Sequence, residues 1–391
     1  MAWRMLAVVS LAQFLGMTLW FCATAVTPFL IDQFHIAPEH TAWLTMAVQA
    51  GFVAGTLLSA VSNIADVLNA RVLMFIGSIV GAASNAAVLI APGGGAVIAL
   101  RFLTGASLAL VYPPAMKIAA GWFKDSRGFA LGLLIGALTL GKAFPYLLTA
   151  LFGTDWRAPM LLVSTLALIG GTLVVLIVRD GPHVIPTAPF NPRAISLALA
   201  SRGARLATVG YLGHMWELYA MWTWVAVFSS ASFAASGVSG ATTAGAVAAF
   251  VAIGSGAIGC VTAGYFADRL GQARVAMWAM LGSATCAALT LVVFGRSPWL
   301  LYVLIVLWGF CVVADSAQFS ALVSEYAPRE QVGTALTLQT CVGFLLTMVT
   351  IDLLPRVAAA AGWQWASLLL VPGPLLGALA MARLRTPAPT T

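Results

Sequence analysis

Long apolar runs dominate this chain of 391 residues, and each is about as long as a helix that crosses a membrane. Such a helix needs about 20 apolar residues to cross roughly 30 Å of hydrocarbon. The short alternating segments of a membrane barrel are missing, which favours helices because they satisfy their own backbone groups. We place the spans at residues 5–31, 40–64, 71–91, 96–120, 127–151, 158–178, 204–233, 240–266, 274–294, 299–325, 331–354 and 363–383.

Composition agrees with this fold class. Hydrophobic residues make up 61% of the chain and charged residues only 8%, whereas a soluble domain carries about 25% charged residues. The net charge of +7 comes from short loops between the apolar runs, so it indicates topology and no nucleic-acid partner. We predict an all-α membrane protein with twelve transmembrane helices whose surface faces the lipid bilayer.

One long polar connection divides the chain into two halves of six spans. It runs from Arg179 to Gly203 and holds four prolines, which discourage a continuous helix. We therefore predict a six-helix bundle over residues 1–180, a cytoplasmic linker over 181–203 and a second six-helix bundle over 204–391. Corresponding loops of the halves carry similar residues, which indicates two pseudo-symmetric units with a ligand site at their interface.

The lysines and arginines favour one orientation. Cytoplasmic loops carry an excess of these residues, and placing the N-terminus in the cytoplasm puts only Arg157, Arg296 and Arg356 outside. The residues that then lie at inner ends are Arg4, Arg71, Lys117, Lys124, Arg127, Arg179, Arg193, Arg202, Arg205, Arg269, Arg274, Arg329, Arg383 and Arg385. We predict a multi-pass inner-membrane protein with both termini cytoplasmic. The stretch from Met5 to Leu30 is too long for a signal-peptide core, so it should be a retained span.

Four charged residues lie inside apolar spans: Arg101 in span four, Lys142 in span five, Glu217 in span seven and Asp315 in span ten. Each costs roughly 2.5–3.5 kcal/mol at the bilayer centre, so each should face protein or water. In one interpretation the cations hold an anionic substrate and the carboxylates exchange protons. In the other, all four form ion pairs that join the halves. We favour the first because buried ion pairs add little stability.

Span seven adds an ionisable stripe. His214, Glu217 and Trp224 fall on one helical face, which is typical of a cavity wall with His214 and Glu217 as a proton relay. A histidine that is only hydrogen-bonded in place is the alternative. Trp222 and Trp224 also fit an interfacial belt, whereas Trp216 lies too deep for one.

Together these features define two sets of candidate site residues. Lys142 is the sharpest candidate, near mid-depth in span five. The candidate substrate-binding residues are Arg101, Lys142, Tyr112, Trp216, Trp20 and Gln318. The candidate proton-coupling residues are Glu217, Asp315 and His214. Pro113 and Pro114 should break or kink span four.

The loop after span eight, from Gly264 to Gly271, reads Gly-x-x-x-Asp-Arg-x-Gly. It resembles the motif that the major facilitator superfamily carries between the second and third helix of each half. The loop after span two keeps the aspartate and an arginine. An aspartate there either latches one closed state by pairing with arginine or only caps a helix. The candidate cytoplasmic gate residues are Asp66, Arg71, Asp268, Arg269 and Arg274.

The resemblance covers nearly the whole chain and includes Arg101-x-x-x-Gly105, which is similar to a fourth-helix motif whose arginine has been linked to proton coupling. It implies that spans one, four, seven and ten line a cavity, while three, six, nine and twelve face lipid. The chain leans toward the branch of nitrate, nitrite and cyanate porters. Spans two and eight carry no arginine, however, and span five lacks the asparagine of the nitrate signature.

We therefore predict a secondary transporter that moves a small anionic solute across the inner membrane by alternating access, coupled to protons. The alternative is a proton-driven exporter of drugs or amphipathic metabolites. A polytopic membrane enzyme would need a nucleophile with a base or a metal cluster, and the sequence shows neither. The sequence lacks the phosphate-binding loop that would indicate ATP hydrolysis. Its five cysteines are not spaced as the ligands of a metal site. We expect no cofactor, no metal and a monomer.

Overall fold

The structure is a computed structural model, and it describes residues 1–123, 127–183, 191 and 199–384. These residues form helices and loops, with no strand among them. Eleven helices in this part of the chain are long and apolar enough to cross a membrane, and they correspond to spans two to twelve. Span one is divided into shorter helices. The predicted all-α membrane fold of twelve spans is confirmed.

The first half contains spans one to six. Span one consists of Ala2–Met17, Cys22–Ala25 and Thr27–Phe34. Span two is Trp43–Ser62 with the preceding turn Pro38–His40, and after the short helix Ile64–Val67 span three is Ala70–Ala87. Span four consists of Gly94–Leu108 and Tyr112–Trp122, span five is Arg127–Phe152 and span six is Arg157–Ile177.

The second half contains spans seven to twelve. Spans seven, eight and nine are Arg202–Ala235, Ala241–Leu270 and Gln272–Val293. Span ten consists of Pro298–Ala314 and Ser316–Tyr326, and span eleven is Val332–Ala361. Span twelve consists of Trp363–Ala366, Ser367–Leu370 and Pro372–Ala382.

The predicted ends agree with these bounds to within a few residues, except in span eleven. That helix was expected to end at residue 354, before Pro355, but it continues to Ala361. Arg356 pairs with Asp352 one turn earlier, at 2.8 Å, and a run of alanines follows. Both features favour helix strongly enough to carry it past one proline.

Four spans are interrupted along their length in the described part of the chain: spans one, four, ten and twelve. The break in span four falls at residues 109–111, and the next helix begins at Tyr112 with Pro113 and Pro114 in its first turn. This confirms the prediction that the two prolines break span four. Proline suits the first turn of a helix and not its interior. Span ten breaks at Asp315 and span one at residues 18–21; neither break was predicted.

The halves meet along two seams. Span five packs against span eight, where Gly136 lies against the backbone of Ala257. Span two packs against span eleven, where the rings of Phe52 and Phe344 have centres 4.8 Å apart. Small residues allow helices to approach closely in a membrane, and the space left between the two seams is the cavity described below.

The connection between the halves is described only at its ends. Span six ends at Ile177 and span seven begins at Arg202, while residues 184–190 and 192–198 lie outside the described part of the chain. Ser201 caps span seven by accepting a hydrogen bond from the amide of Ala204 at 3.0 Å. Its hydroxyl donates to the carbonyl of Tyr326 at 2.8 Å, which ties the start of span seven to the end of span ten.

Candidate functional site

A cavity of about 550 Å³ lies between the two halves. Its walls come from spans one, two, four, five, seven, eight, ten and eleven, with Gln272 from the start of span nine. Spans three, six and twelve contribute no lining residue in the described part of the chain. The wall runs from buried Lys142 to exposed Gly128 and Asp268 near helix ends. The cavity therefore opens toward the end of the bundle that holds these two residues.

Lys142 lies at the deep end of the cavity and is only 2% exposed. Its Nζ donates a hydrogen bond to the Tyr219 hydroxyl at 2.6 Å. The same atom lies 3.9 Å from the ring centre of Trp20, 4.8 Å from that of Tyr219 and 5.4 Å from that of Trp222. Aromatic faces attract a cation at such distances. Because Tyr219 and Trp222 belong to the second half, the ammonium group of Lys142 joins the two halves.

Aromatic side chains close the protein beyond the deep end of the cavity. The ring centres of Phe21 and Trp222, from opposite halves, lie 6.1 Å apart. The Tyr146 hydroxyl donates to the carbonyl oxygen of Trp222 at 2.9 Å. Phe52 and Phe344 close the neighbouring seam. The structure is thus open at one end of the cavity and closed at the other.

His214 brings an ionisable pair to the cavity wall. It lines the cavity, and its Nδ1 lies 2.8 Å from Oδ1 of Asp315, off the line of an ideal hydrogen bond. Its Nε2 lies 2.9 Å from the hydroxyl of Ser316, which also lines the cavity. Asp315 stands behind them at the break of span ten. The contact becomes an ion pair whenever His214 is protonated.

Glu217 lies apart from this pair. It is buried, and the cavity wall does not include it. One carboxylate oxygen accepts a hydrogen bond from Nε1 of Trp308 at 2.6 Å, and the other accepts one from the hydroxyl of Ser283 at 2.7 Å. Sequence reasoning missed both partners, because donors from spans nine and ten carry no spacing signal relative to span seven. Glu217 is a buried acid held by neutral donors inside the second half.

The predicted stripe on span seven needs a correction. The residues of span seven that line the cavity are Tyr211, His214, Met215, Leu218, Tyr219 and Trp222. Positions 214 and 217 differ by about 60° around a helix, and the cavity face ends between them. Trp224 donates from Nε1 to the carbonyl of Ile351 at 2.9 Å and lies inside the second half. Trp222 lines the cavity and is not part of an interfacial belt.

Arg101 is fully buried and does not line the cavity. Its Nη1 donates to Oδ1 of Asn85 at 3.1 Å. Its Nη2 donates to the carbonyl oxygens of Leu19 at 3.0 Å and Trp20 at 2.6 Å. Both carbonyls lie in the break of span one. Arg101 therefore fixes the backbone that carries Trp20, whose ring lies over the ammonium group of Lys142.

Of the other four predicted substrate-binding residues, three line the cavity and one does not. Trp20, Tyr112 and Gln318 line the cavity together with Lys142. Trp216 does not, because its Nε1 donates to the carbonyl of Leu369 at 2.8 Å and the side chain packs against span twelve.

The latch predicted for the first half stays a prediction, because the structure describes the side chain of only one of its two partners. The side chain of Asp66 lies outside the described part of the chain. Arg71 pairs with Asp180 at 3.0 Å and donates to the carbonyl of Val178 at 3.0 Å. Arg71 thus fastens the start of span three to the end of span six.

The gate residues of the second half lie at the mouth of the cavity or beside it. Asp268 lines the mouth and is exposed. The guanidinium group of Arg269 lies 4.2 Å from the ring centre of Tyr265, and Arg274 is exposed. Of the predicted gate residues, Asp268 alone contributes to the described cavity wall.

Comparison with known proteins agrees with this architecture. The family described as Major Facilitator Superfamily matches residues 9–259 and 236–391, which together cover nearly the whole chain. A protein of Aspergillus terreus named "MFS-type transporter pytF" is 25% identical over 185 residues. The alignment covers 45% of this chain and 58% of that protein. The chain belongs to the major facilitator superfamily.

Proposed function

We propose that this protein is a transporter that moves a small anionic solute by alternating access and couples the movement to protons. Lys142 carries the proposal, since it is the only lysine or arginine among the described residues of the cavity wall. Its partners are a neutral hydroxyl and aromatic rings, with no carboxylate among the described residues paired to it. An unpaired cation in a poorly solvated site attracts an anion strongly.

The pair of His214 and Asp315 supports coupling to protons. Histidine is the side chain that changes charge most readily near neutral pH, and His214 connects the open cavity to a carboxylate behind the wall. Glu217, three residues further along span seven, is a second buried acid. We assign proton exchange to this group. To Arg101 we assign a positioning role, because it holds the backbone of Trp20.

The proposal includes the orientation of the protein in the membrane. The bias of lysines and arginines supports an inner-membrane protein with both termini cytoplasmic. In that orientation the cavity of this structure opens to the cytoplasm and is closed toward the outside. A monomer suffices, because the two halves of one chain form the cavity wall.

A second candidate function is proton-driven export of drugs or amphipathic metabolites. The observation that favours it is the aromatic wall formed by Trp20, Phe52, Tyr219 and Phe344, since apolar pockets accept many organic molecules. The relative's printed name gives no substrate. Membership of the nitrate, nitrite and cyanate branch stays a prediction.

The proposal is tested by flux into proteoliposomes under an imposed pH gradient, with small anions compared against cationic drugs. We expect anions to accumulate with the gradient and Lys142→Ala to abolish that accumulation. Lys117→Ala is the matched control, because this lysine is not part of the cavity wall. Unchanged anion flux in the Lys142 variant, or gradient-driven movement of cations alone, would overturn the proposal.

A further inference from the structure

The ammonium group of Lys142 has unused donor capacity. A lysine carries three N–H donors, and Nζ makes one hydrogen bond within the described part of the chain, to Tyr219. The rings of Trp20 and Trp222 face this cation but offer no conventional acceptor atom. An acceptor that enters from the cavity would therefore complete the surroundings of Nζ.

Two further donors beside Lys142 have no partner. The indole N–H groups of Trp20 and Trp222 are buried and make no hydrogen bond in the described part of the chain. Both residues are 1% exposed, and both line the cavity. A buried donor without an acceptor costs about 1–3 kcal/mol. Three donor groups therefore share one small region at the deep end of the cavity. The two indole N–H groups have no acceptor in the described part of the chain, and the ammonium group has one acceptor for its three N–H groups.

Apart from the hydroxyl groups of Thr139 and Tyr219, the wall around this region is apolar. Residues that lie along it include Ile135, Leu138, Met215, Leu218 and Phe344. A second negative charge on the solute would be desolvated without a cation to face it, which is costly. A small inorganic anion would also exchange its water shell for carbon atoms on most sides. The site thus matches one negative charge attached to an apolar body.

The volume of the cavity indicates the same class of solute. Pockets of about 300–1,000 Å³ bind organic ligands of drug-like size, mostly against apolar and aromatic walls, and this cavity measures about 550 Å³. Resting on the proposed function, we propose that the solute is an organic monocarboxylate with an aromatic or aliphatic body. Its carboxylate binds Lys142 in place of the Tyr219 hydroxyl and accepts from the indole N–H groups of Trp20 and Trp222.

The test is binding to the purified full chain, read as thermal stabilisation and as quenching of tryptophan fluorescence. The probes are benzoate, its neutral counterpart benzamide, the dianion terephthalate, the cation benzylammonium, and nitrate. We expect benzoate to bind at least tenfold more tightly than every other probe. Lys142→Ala should remove this binding, because it removes the cation.

The indole donors are tested by single substitutions. Trp20→Phe and Trp222→Phe should each weaken benzoate binding about tenfold, since a hydrogen bond to a charged group is lost in each. Trp365→Phe is the matched control, because this tryptophan lies outside the cavity wall and is 45% exposed. Thermal unfolding of each variant shows whether it folds. Well-folded Trp20 and Trp222 variants with unchanged benzoate affinity would overturn the assigned carboxylate contacts.

The probes separate this inference from the proposed function. Nitrate or terephthalate binding that depends on Lys142, without benzoate binding, would overturn the solute class and leave an anion transporter. Preferred binding of benzylammonium would overturn both. Equal binding of benzoate and benzamide would show that the negative charge contributes nothing, and would also overturn the inference.

Discussion

Replacing Arg101 with methionine tests whether this residue positions the broken first span or handles protons. The change leaves three buried acceptors, on Asn85, Leu19 and Trp20, without the donors they have now. Each unsatisfied acceptor costs about 1–3 kcal/mol. Methionine fills much of the volume, and the desolvation cost of the guanidinium group disappears. Three such acceptors cost roughly 3–9 kcal/mol in total. The desolvation cost that disappears offsets part of this loss, so we expect a net loss of about 3–5 kcal/mol.

The assay is thermal unfolding of the purified protein in detergent, followed by solute binding at a temperature where the variant is folded. For a chain of 391 residues, a loss of this size should lower the unfolding midpoint by roughly 4–6 °C. Binding should also weaken, because the backbone that holds Trp20 against Lys142 is no longer fixed. Arg101→Lys keeps the charge but lacks the planar fork, so it should be destabilised to an intermediate degree.

A different result would refute the positioning role. If the methionine variant unfolds at the wild-type temperature and binds solute normally, the hydrogen bonds to span one contribute nothing. If such a variant also loses its response to an imposed pH gradient, Arg101 acts in proton coupling, as the family resemblance implies.

Three further predictions concern the second half and its contacts. Glu217→Gln retains an acceptor for Trp308, so the variant should still bind and exchange solute, which counterflow measures. It should lose solute accumulation driven by a pH gradient, and normal accumulation would exclude Glu217 from coupling. Tyr146→Phe removes one hydrogen bond between the halves, worth about 1 kcal/mol, and should raise labelling of a cysteine placed beyond the closed end about fivefold; unchanged labelling would contradict this. Gly309→Val should prevent folding because a Cβ there overlaps the carbonyl of Ala252, and a normal monodisperse peak in size-exclusion chromatography would contradict this.

The spans were predictable because a membrane imposes one strong requirement on length and polarity. A run of about 20 apolar residues indicates a span whichever face of the helix each residue lies on. The double proline likewise placed the break in span four, since proline restricts its own backbone. The break at residues 18–21 has no such signal, because Thr18, Leu19, Trp20 and Phe21 include neither proline nor glycine. It depends on a guanidinium group from span four, and a contact of that kind has no local pattern.

The site was predictable in kind but not in detail. Costly charges at membrane depth indicated functional residues, and Lys142 and His214 do line the cavity. The rotation of span seven was not predictable to within one residue position, and a shift of about 60° separates Glu217 from the cavity. Trp308 and Ser283, which hold Glu217, come from spans that touch span seven only in the folded protein.

The four membrane-embedded charges do not pair with one another in the structure, so the interpretation in which all four join the halves as ion pairs is wrong. Arg101 is held by neutral acceptors, Glu217 by neutral donors, and Asp315 by a histidine of its own half. Lys142 is the one of the four whose side chain contacts the opposite half in the described residues, through the hydroxyl of Tyr219. A solute anion that takes the place of this hydroxyl removes a contact between the halves at the closed end of the cavity. Under the proposed function, solute binding itself therefore weakens the closed end and favours its opening.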